Sequence, residues 1–163
     1  MGRSVALIGF MGSGKSTVGR ALSRRLGVQF IDLDELVEQR ESLSVPALFS
    51  QRGEEGFRAA EREALEACLS DSTDMVLACG GGTPCQPGLL ESLLGWGEVV
   101  FLDVPFKVLE TRGLSGRPLW DEGAAQLYED RLRIYQRAPI HLDGTLPPEV
   151  LVEAAVRSLE LRR

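Results

Sequence analysis

What the sequence lacks narrows the field before any motif is read. No apolar run approaches the length that crosses a bilayer. Cys68, Cys79 and Cys85 are odd in number and form no CxxC pair, and His141 is the only histidine, so neither a disulfide framework nor a cysteine–histidine zinc site is expected. The start of the chain has no charged region followed by a cleavable apolar segment, which makes a reducing cytoplasm the expected compartment. Ala6 stands where a myristoylation signal needs Ser or Thr, so no lipid anchor or membrane partner is expected. Positive charge is also short: 18 Lys and Arg face 24 Asp and Glu, for a net charge of -6. Such a chain repels nucleic-acid phosphates globally, and an anionic substrate would have to be met by a local cluster of arginines. Internal repeats and low-complexity tracts are missing as well.

What is present fits one soluble globular domain over residues 1–163, with 44% hydrophobic and 26% charged residues and a mean hydropathy of -0.03. A monomer is expected. Short apolar runs at Val5 to Ile8, Gln29 to Ile31, Met75 to Ala78 and Val99 to Leu102 read as strands, with His141 to Asp143 a weaker fifth. Helical spacing covers Ser16 to Leu26, Phe57 to Leu69, Pro105 to Arg112, Glu122 to Arg137 and Pro148 to Leu161. Alternating strands and helices predict an α/β fold, a parallel sheet covered on both faces. Gly113 to Gly123 is rich in glycine and poor in periodicity, which predicts a mobile loop.

The first chemical motif is Gly9 to Ser16, GFMGSGKS, which matches GxxxxGK followed by Ser or Thr, between the first strand and the first helix. In that pattern the backbone around Gly12, Ser13 and Gly14 closes on phosphates at a helix N-terminus. Lys15 reaches the β and γ phosphates, and Ser16, followed by Thr17, offers oxygen toward a bridging magnesium ion. Asp32-Leu33-Asp34 follows the second strand, where a spacing of two places both carboxylates on one side of an extended backbone. Asp32 is then a candidate magnesium ligand and Asp34 a candidate base for an attacking hydroxyl. Alternatively, Asp34 caps a helix beginning near Glu35 and Asp32 is a solvated loop acid.

Each remaining candidate admits two readings. Arg58 and Glu61 are three apart on a helix, either as a solvent-facing ion pair or as a carboxylate receptor steadied by Glu61. Gly80-Gly81-Gly82 is either a flexible turn or a backbone that lets substrate come close. Arg131 shares a stripe with Leu127, Ile134, Tyr135 and Ala138, either as a snorkelling structural arginine or as a second anion clamp. Arg117, in Gly116-Arg117-Pro118-Leu119, is a solvated loop arginine or an internal arginine finger. His141 receives no catalytic role, and Phe10, Phe49, Phe57 and Trp120 line a pocket or simply pack.

Taken in order along the chain, GFMGSGKS, Asp32-Leu33-Asp34, Gly53-Glu54 with Phe57-Arg58, Gly80-Gly81-Gly82, Arg117-Pro118-Leu119 and the Arg131 to Tyr135 segment resemble the shikimate kinase family. The resemblance implies phosphoryl transfer from ATP to the 3-hydroxyl of shikimate, in the chorismate route to aromatic amino acids. It also implies a three-layer α/β/α P-loop kinase fold with a five-stranded parallel sheet of order 2-3-1-4-5, a lid near residues 113–123 and a substrate-binding segment near residues 34–62. By that resemblance Lys15 holds phosphate, Ser16 and Asp32 serve Mg2+, and Asp34 binds and activates the hydroxyl. Arg58 and Arg131 grip the carboxylate, and the backbone around Gly81 meets the ring hydroxyls. Arg117 acts from the lid, and Arg112 stacks on adenine with the region of Pro147 opposite. Arg133 and Trp120 depart from the family pattern, which usually has proline and leucine there. Two rivals stand beside this reading. One is a kinase similar to gluconate kinases; the other is a nucleotide switch, for which no NKxD-type signature is present.

Overall fold

The computed structural model describes residues 4–114 and 117–162. Val5–Ile8 (β1) and Met75–Ala78 (β3) are runs of four residues, buried throughout. With Gln29–Asp32 (β2), Glu98–Asp103 (β4) and Ile140–Asp143 (β5) they form one parallel sheet in the order β2-β3-β1-β4-β5, the order expected. Leu7 lies beside Ala78 of β3 on one side and Val100 of β4 on the other. An interior parallel strand has helices over both faces, which is why β1 and β3 tolerate no polar residue, whereas edge strand β5 alternates buried and exposed positions.

The two-residue period of a strand sends Val5 and Leu7 to one face of the sheet and Ala6 and Ile8 to the other. On the first face Val18 and Leu22 of Lys15–Leu26 (α1) meet Leu151 and Ala155 of Pro148–Leu161 (α7). The opposite face is covered by Leu33–Glu41 (α2), Val45–Ser70 (α3), Leu89–Trp96 (α4), Phe106–Glu110 (α5) and Ala124–Tyr135 (α6), which contribute Val37, Leu65, Leu93, Leu109 and Tyr135. A fully buried leucine such as Leu22 or Leu65 stabilises the layer by about 1.5–3 kcal/mol. The result is the expected three-layer α/β/α arrangement. No helix among the described residues is long and apolar enough to cross a membrane.

The differences from expectation have local causes. α3 begins at Val45, not Phe57: Ser44 caps it by accepting the Ala47 N–H at 3.2 Å, and Pro46 sits in its first turn. Gly53, at φ 69° and ψ -179°, kinks this helix into two limbs and interrupts the period by which the first limb would be read. α4, LLESLLGW, is too uniformly apolar to display a stripe. Helices α5 and α6 are each shorter at both ends than their expected spans. Within the expected lid, Ser115 and Gly116 lie outside the described residues.

Candidate active site

A cleft of about 300 Å³ opens at the carboxyl ends of β1, β2 and β3, where the open sheet of an α/β protein meets its ligands. β1 delivers the chain into the glycine-rich turn. Gly12 and Gly14 have φ of 80° and 94°, values that a side chain rarely tolerates. Gly14 is the cap residue from which α1 begins, so the helix N-terminus points into the turn. The Lys15 ammonium donates to the carbonyls of Gly9 at 2.7 Å and Phe10 at 3.0 Å. Burial pulls its pKa down to about 8, against the opposing pull of the Asp34 carboxylate.

Asp32 ends β2, and its Oδ1 accepts the Glu35 N–H at 3.2 Å, which makes it the cap of α2. This removes the alternative in which Asp34 is the cap and corrects one expectation: Asp34 does not share an extended backbone with Asp32, because the chain turns helical at Leu33. Both carboxylates nevertheless border the cleft. The Ser16 hydroxyl donates to Asp32 Oδ2, so two oxygen donors stand together at the foot of the phosphate turn. Among the described residues no three His, Cys, Asp or Glu side chains cluster to hold a metal. Ser16 and Asp32 thus fit a cation that completes its shell with other oxygens, as Mg2+ does with phosphates and water.

Asp34 is half-buried, and its pKa is pushed up to about 6 by burial first and by the charges of Glu61 and Asp32 next. Glu61 is 0% exposed. Its carboxylate accepts from Arg58 Nη1 at 2.7 Å, Gln86 Nε2 at 2.6 Å and Thr83 Oγ1 at 2.8 Å. The solvent-facing ion pair is therefore not what the molecule contains: Arg58 is clamped to a buried, fully partnered carboxylate, and its guanidinium borders the cleft.

The triple glycine follows β3, and none of the three has positive φ, so conformational freedom does not explain it. Space does. A Cβ at Gly80 would lie 2.6 Å from Glu61 Oε2, one at Gly81 would lie 3.1 Å from Arg131 Nη1, and one at Gly82 would lie 2.4 Å from Arg58 Nη2. Each glycine makes room for an acidic or basic side chain, and Gly80 for the Asp34 carboxyl as well, at 3.1 Å. Arg131 itself is 7% exposed, with its guanidinium 5.8 Å from the centroid of the Phe10 ring. Arg137 instead pairs with Glu91 on the surface at 2.7 Å, and His141 Nε2 lies 3.0 Å from the Gln136 carbonyl.

Arg117, Pro118 and Leu119 border the cleft, and Arg117 is close enough to lower the pKa values of both Lys15 and Asp34. Arg112 donates to the carbonyls of Gly12 at 2.9 Å and Gly144 at 3.3 Å, joining the phosphate turn to the loop that precedes Pro147. Phe49 and Phe57 border the cleft and also pack together, with centroids 4.8 Å apart. Trp120 packs against Phe10 and Phe106. Thr83 and Gln86 escaped the sequence reading because an isolated polar residue in a short loop carries no periodic signal. One cleft thus joins a phosphate cradle, an ionisable carboxylate and two arginines, the parts needed to phosphorylate a hydroxyl on a carboxylate-bearing molecule.

The family model described as shikimate kinase matches residues 11–160. A shikimate kinase of Aquifex aeolicus is 43% identical over 96% of this chain and 95% of its own. The structure of an Acinetobacter baumannii shikimate kinase in complex with shikimate superposes with a TM-score of 0.91 at 30% identity, covering 100% of this chain and 96% of that one. A Sinorhizobium meliloti gluconokinase, at 23% identity and a TM-score of 0.64 over 96% of this chain and 91% of its own, shares the fold alone.

Proposed function

The chain belongs to the shikimate kinase family, and from that premise we propose that it transfers the γ-phosphoryl group of ATP to the 3-hydroxyl of shikimate, giving 3-phosphoshikimate and ADP in the chorismate route. The observation that carries this reading is the meeting in one cleft of Lys15 on the phosphate side, Asp34 in the middle, and Arg58 with Arg131 on the acceptor side.

The backbone around Gly12, Ser13 and Gly14 cradles the phosphates, and Lys15 swings from the loop carbonyls onto the β and γ oxygens. Thr17, at the start of α1 beside Ser16, completes the phosphate contacts. Ser16 and Asp32 would hold Mg2+ when it arrives with the nucleotide, and the bound cation would supply positive charge beside the phosphates. Asp34 is ionised at neutral pH, and it orients the acceptor hydroxyl and takes its proton as phosphoryl transfer proceeds. Arg58 and Arg131 fork onto the shikimate carboxylate, while Gly80, Gly81 and Gly82 present backbone to the ring hydroxyls. Arg117 neutralises charge on the transferred group from the lid near residues 113–123, and Arg112 flanks the base. Residues near 34–62 bind the acceptor. A monomer in a reducing cytoplasm belongs to the same reading, with Cys68, Cys79 and Cys85 as free thiols.

Purified protein with ATP and Mg2+ is expected to release ADP when shikimate is added and to stay idle with gluconate. ADP release with gluconate and none with shikimate would overturn the assignment.

A further inference from the structure

The face of α6 that meets the cleft carries two tyrosines on either side of Arg131. Tyr128 donates its hydroxyl to the Val104 carbonyl at 3.0 Å, just past β4. Tyr135, one turn beyond Arg131, donates its hydroxyl to the Gly81 carbonyl within the glycine run. Its ring is fixed from behind by Phe101 of β4, at 5.3 Å between centroids. Tyr135 is 0% exposed, an environment in which a phenol must find an acceptor or be replaced by phenylalanine.

Gly81 is the point at which several parts of the cleft converge. A Cβ there would lie 3.1 Å from Arg131 Nη1, 3.3 Å from the backbone nitrogen of Met11 in the phosphate turn, and 3.7 Å from the Tyr135 hydroxyl. Since the chain has no cis peptide among the described residues, the peptide whose carbonyl is held by Tyr135 points its N–H, that of Gly82, the opposite way. The same hydroxyl thus fixes the plane of a peptide bordering the cleft and the spacing between that peptide and Arg131.

We propose that Tyr135 is a positioning residue for the acceptor half of the site: its hydroxyl locks the Gly81–Gly82 peptide and sets Arg131 against it. This rests on the reading of Arg131 and the glycine run as acceptor contacts. Fold maintenance alone does not require the hydroxyl, because the Tyr135 ring already packs on Phe101 and α6 is independently tied to the end of β4 through Tyr128. Burial also holds the phenol well above its usual pKa, so it remains a donor across any ordinary assay pH.

The test compares Tyr135→Phe, Tyr128→Phe and Arg131→Ala, with KM for shikimate and for ATP, kcat and Tm measured for each. Tyr135→Phe is expected to raise KM for shikimate about three- to tenfold, the size of one net hydrogen bond, with KM for ATP within about twofold of the parent. Tyr128→Phe is expected to leave the ratio of the two KM values unchanged. Faster hydrogen exchange in Tyr135→Phe at the Thr83 amide, which donates to the Gly80 carbonyl at 3.1 Å across the Gly81–Gly82 peptide, with exchange in α1 unaltered, reports the freed peptide even if activity is too weak to measure. An unchanged KM for shikimate in Tyr135→Phe, equal rises for both substrates, or the same split in Tyr128→Phe overturns the proposal. If Arg131→Ala itself spares KM for shikimate, it is the acceptor-site reading that fails.

Discussion

In the proposed function the phosphate cradle comes from one uninterrupted stretch, Gly9 to Thr17, with Asp32, Arg112 and Arg117 added from elsewhere, whereas the half that would face the acceptor is collected from four places. Asp34 stands in α2, Arg58 and Glu61 in α3, the glycine run after β3, and Arg131 in α6. The first half works through backbone shape: positive φ at Gly12 and Gly14 aims the turn, and one lysine adds charge. The second works through ionised side chains steadied by a buried carboxylate and accommodated by glycines that have no Cβ. The first is therefore vulnerable to changes in backbone conformation, the second to changes in charge, partner or volume.

The largest expected effect comes from Asp34, the proposed proton acceptor. Asp34→Asn should lower kcat by about 10²–10⁴-fold while ATP binding, measured by calorimetry, stays near that of the parent. Near-normal kcat would remove the proton-accepting role. Glu61→Ala should damage the acceptor half through its support, because Arg58, Thr83 and Gln86 all lose their buried partner. Breaking such a pair costs about 3–5 kcal/mol, or roughly 6–20 °C in Tm for a domain of this size. A calorimetric Tm within a degree or two of the parent would show that the network is not structural.

Two glycine substitutions separate the halves. Gly12→Ala places a side chain at positive φ, against Leu114, and should raise KM for ATP about tenfold. Gly82→Ala displaces the Arg58 guanidinium and should raise KM for shikimate by a similar factor. If both variants affect both substrates equally, the division into halves is wrong.

The smallest effect expected is the pH dependence of kcat/KM, which reports the free enzyme. With the Asp34 pKa raised to about 6 and the Lys15 pKa lowered to about 8, activity should fall below about pH 6 as Asp34 protonates and above about pH 8 as Lys15 loses its charge. For stability the sign at Asp34 is the reverse of the usual carboxylate. Its folded pKa lies above the unfolded value, so its stabilising contribution is full below pH 3.8 and is lost as pH rises to about 6. A flat kcat/KM profile between pH 5 and 7 would contradict the assignment of Asp34.

How much of this was legible in the sequence follows the same division. The phosphate turn was readable because its parts are contiguous, and β1 and β3 were bounded correctly because interior strands must be apolar on both faces. The order of the sheet came with the family resemblance. On the acceptor side, Arg58 and Glu61 were recognised as a pair, but spacing on a helix cannot reveal that Glu61 is buried. The three glycines read as a flexible turn or as room for substrate, and not as room for side chains, because the charges that crowd them arrive from α3 and α6. Asp32 was not read as a helix cap, a place offered only to Asp34 as an alternative, since a strand and a helix that abut without a loop leave no punctuation between them.

The most direct test is a crystal structure with ADP and shikimate bound. The expected result has the shikimate carboxylate forked between Arg58 and Arg131, and its 3-hydroxyl within hydrogen-bonding reach of Asp34, on the side facing Lys15. A carboxylate held instead by Arg117 or Arg137, or a 3-hydroxyl turned away from Asp34, would contradict it.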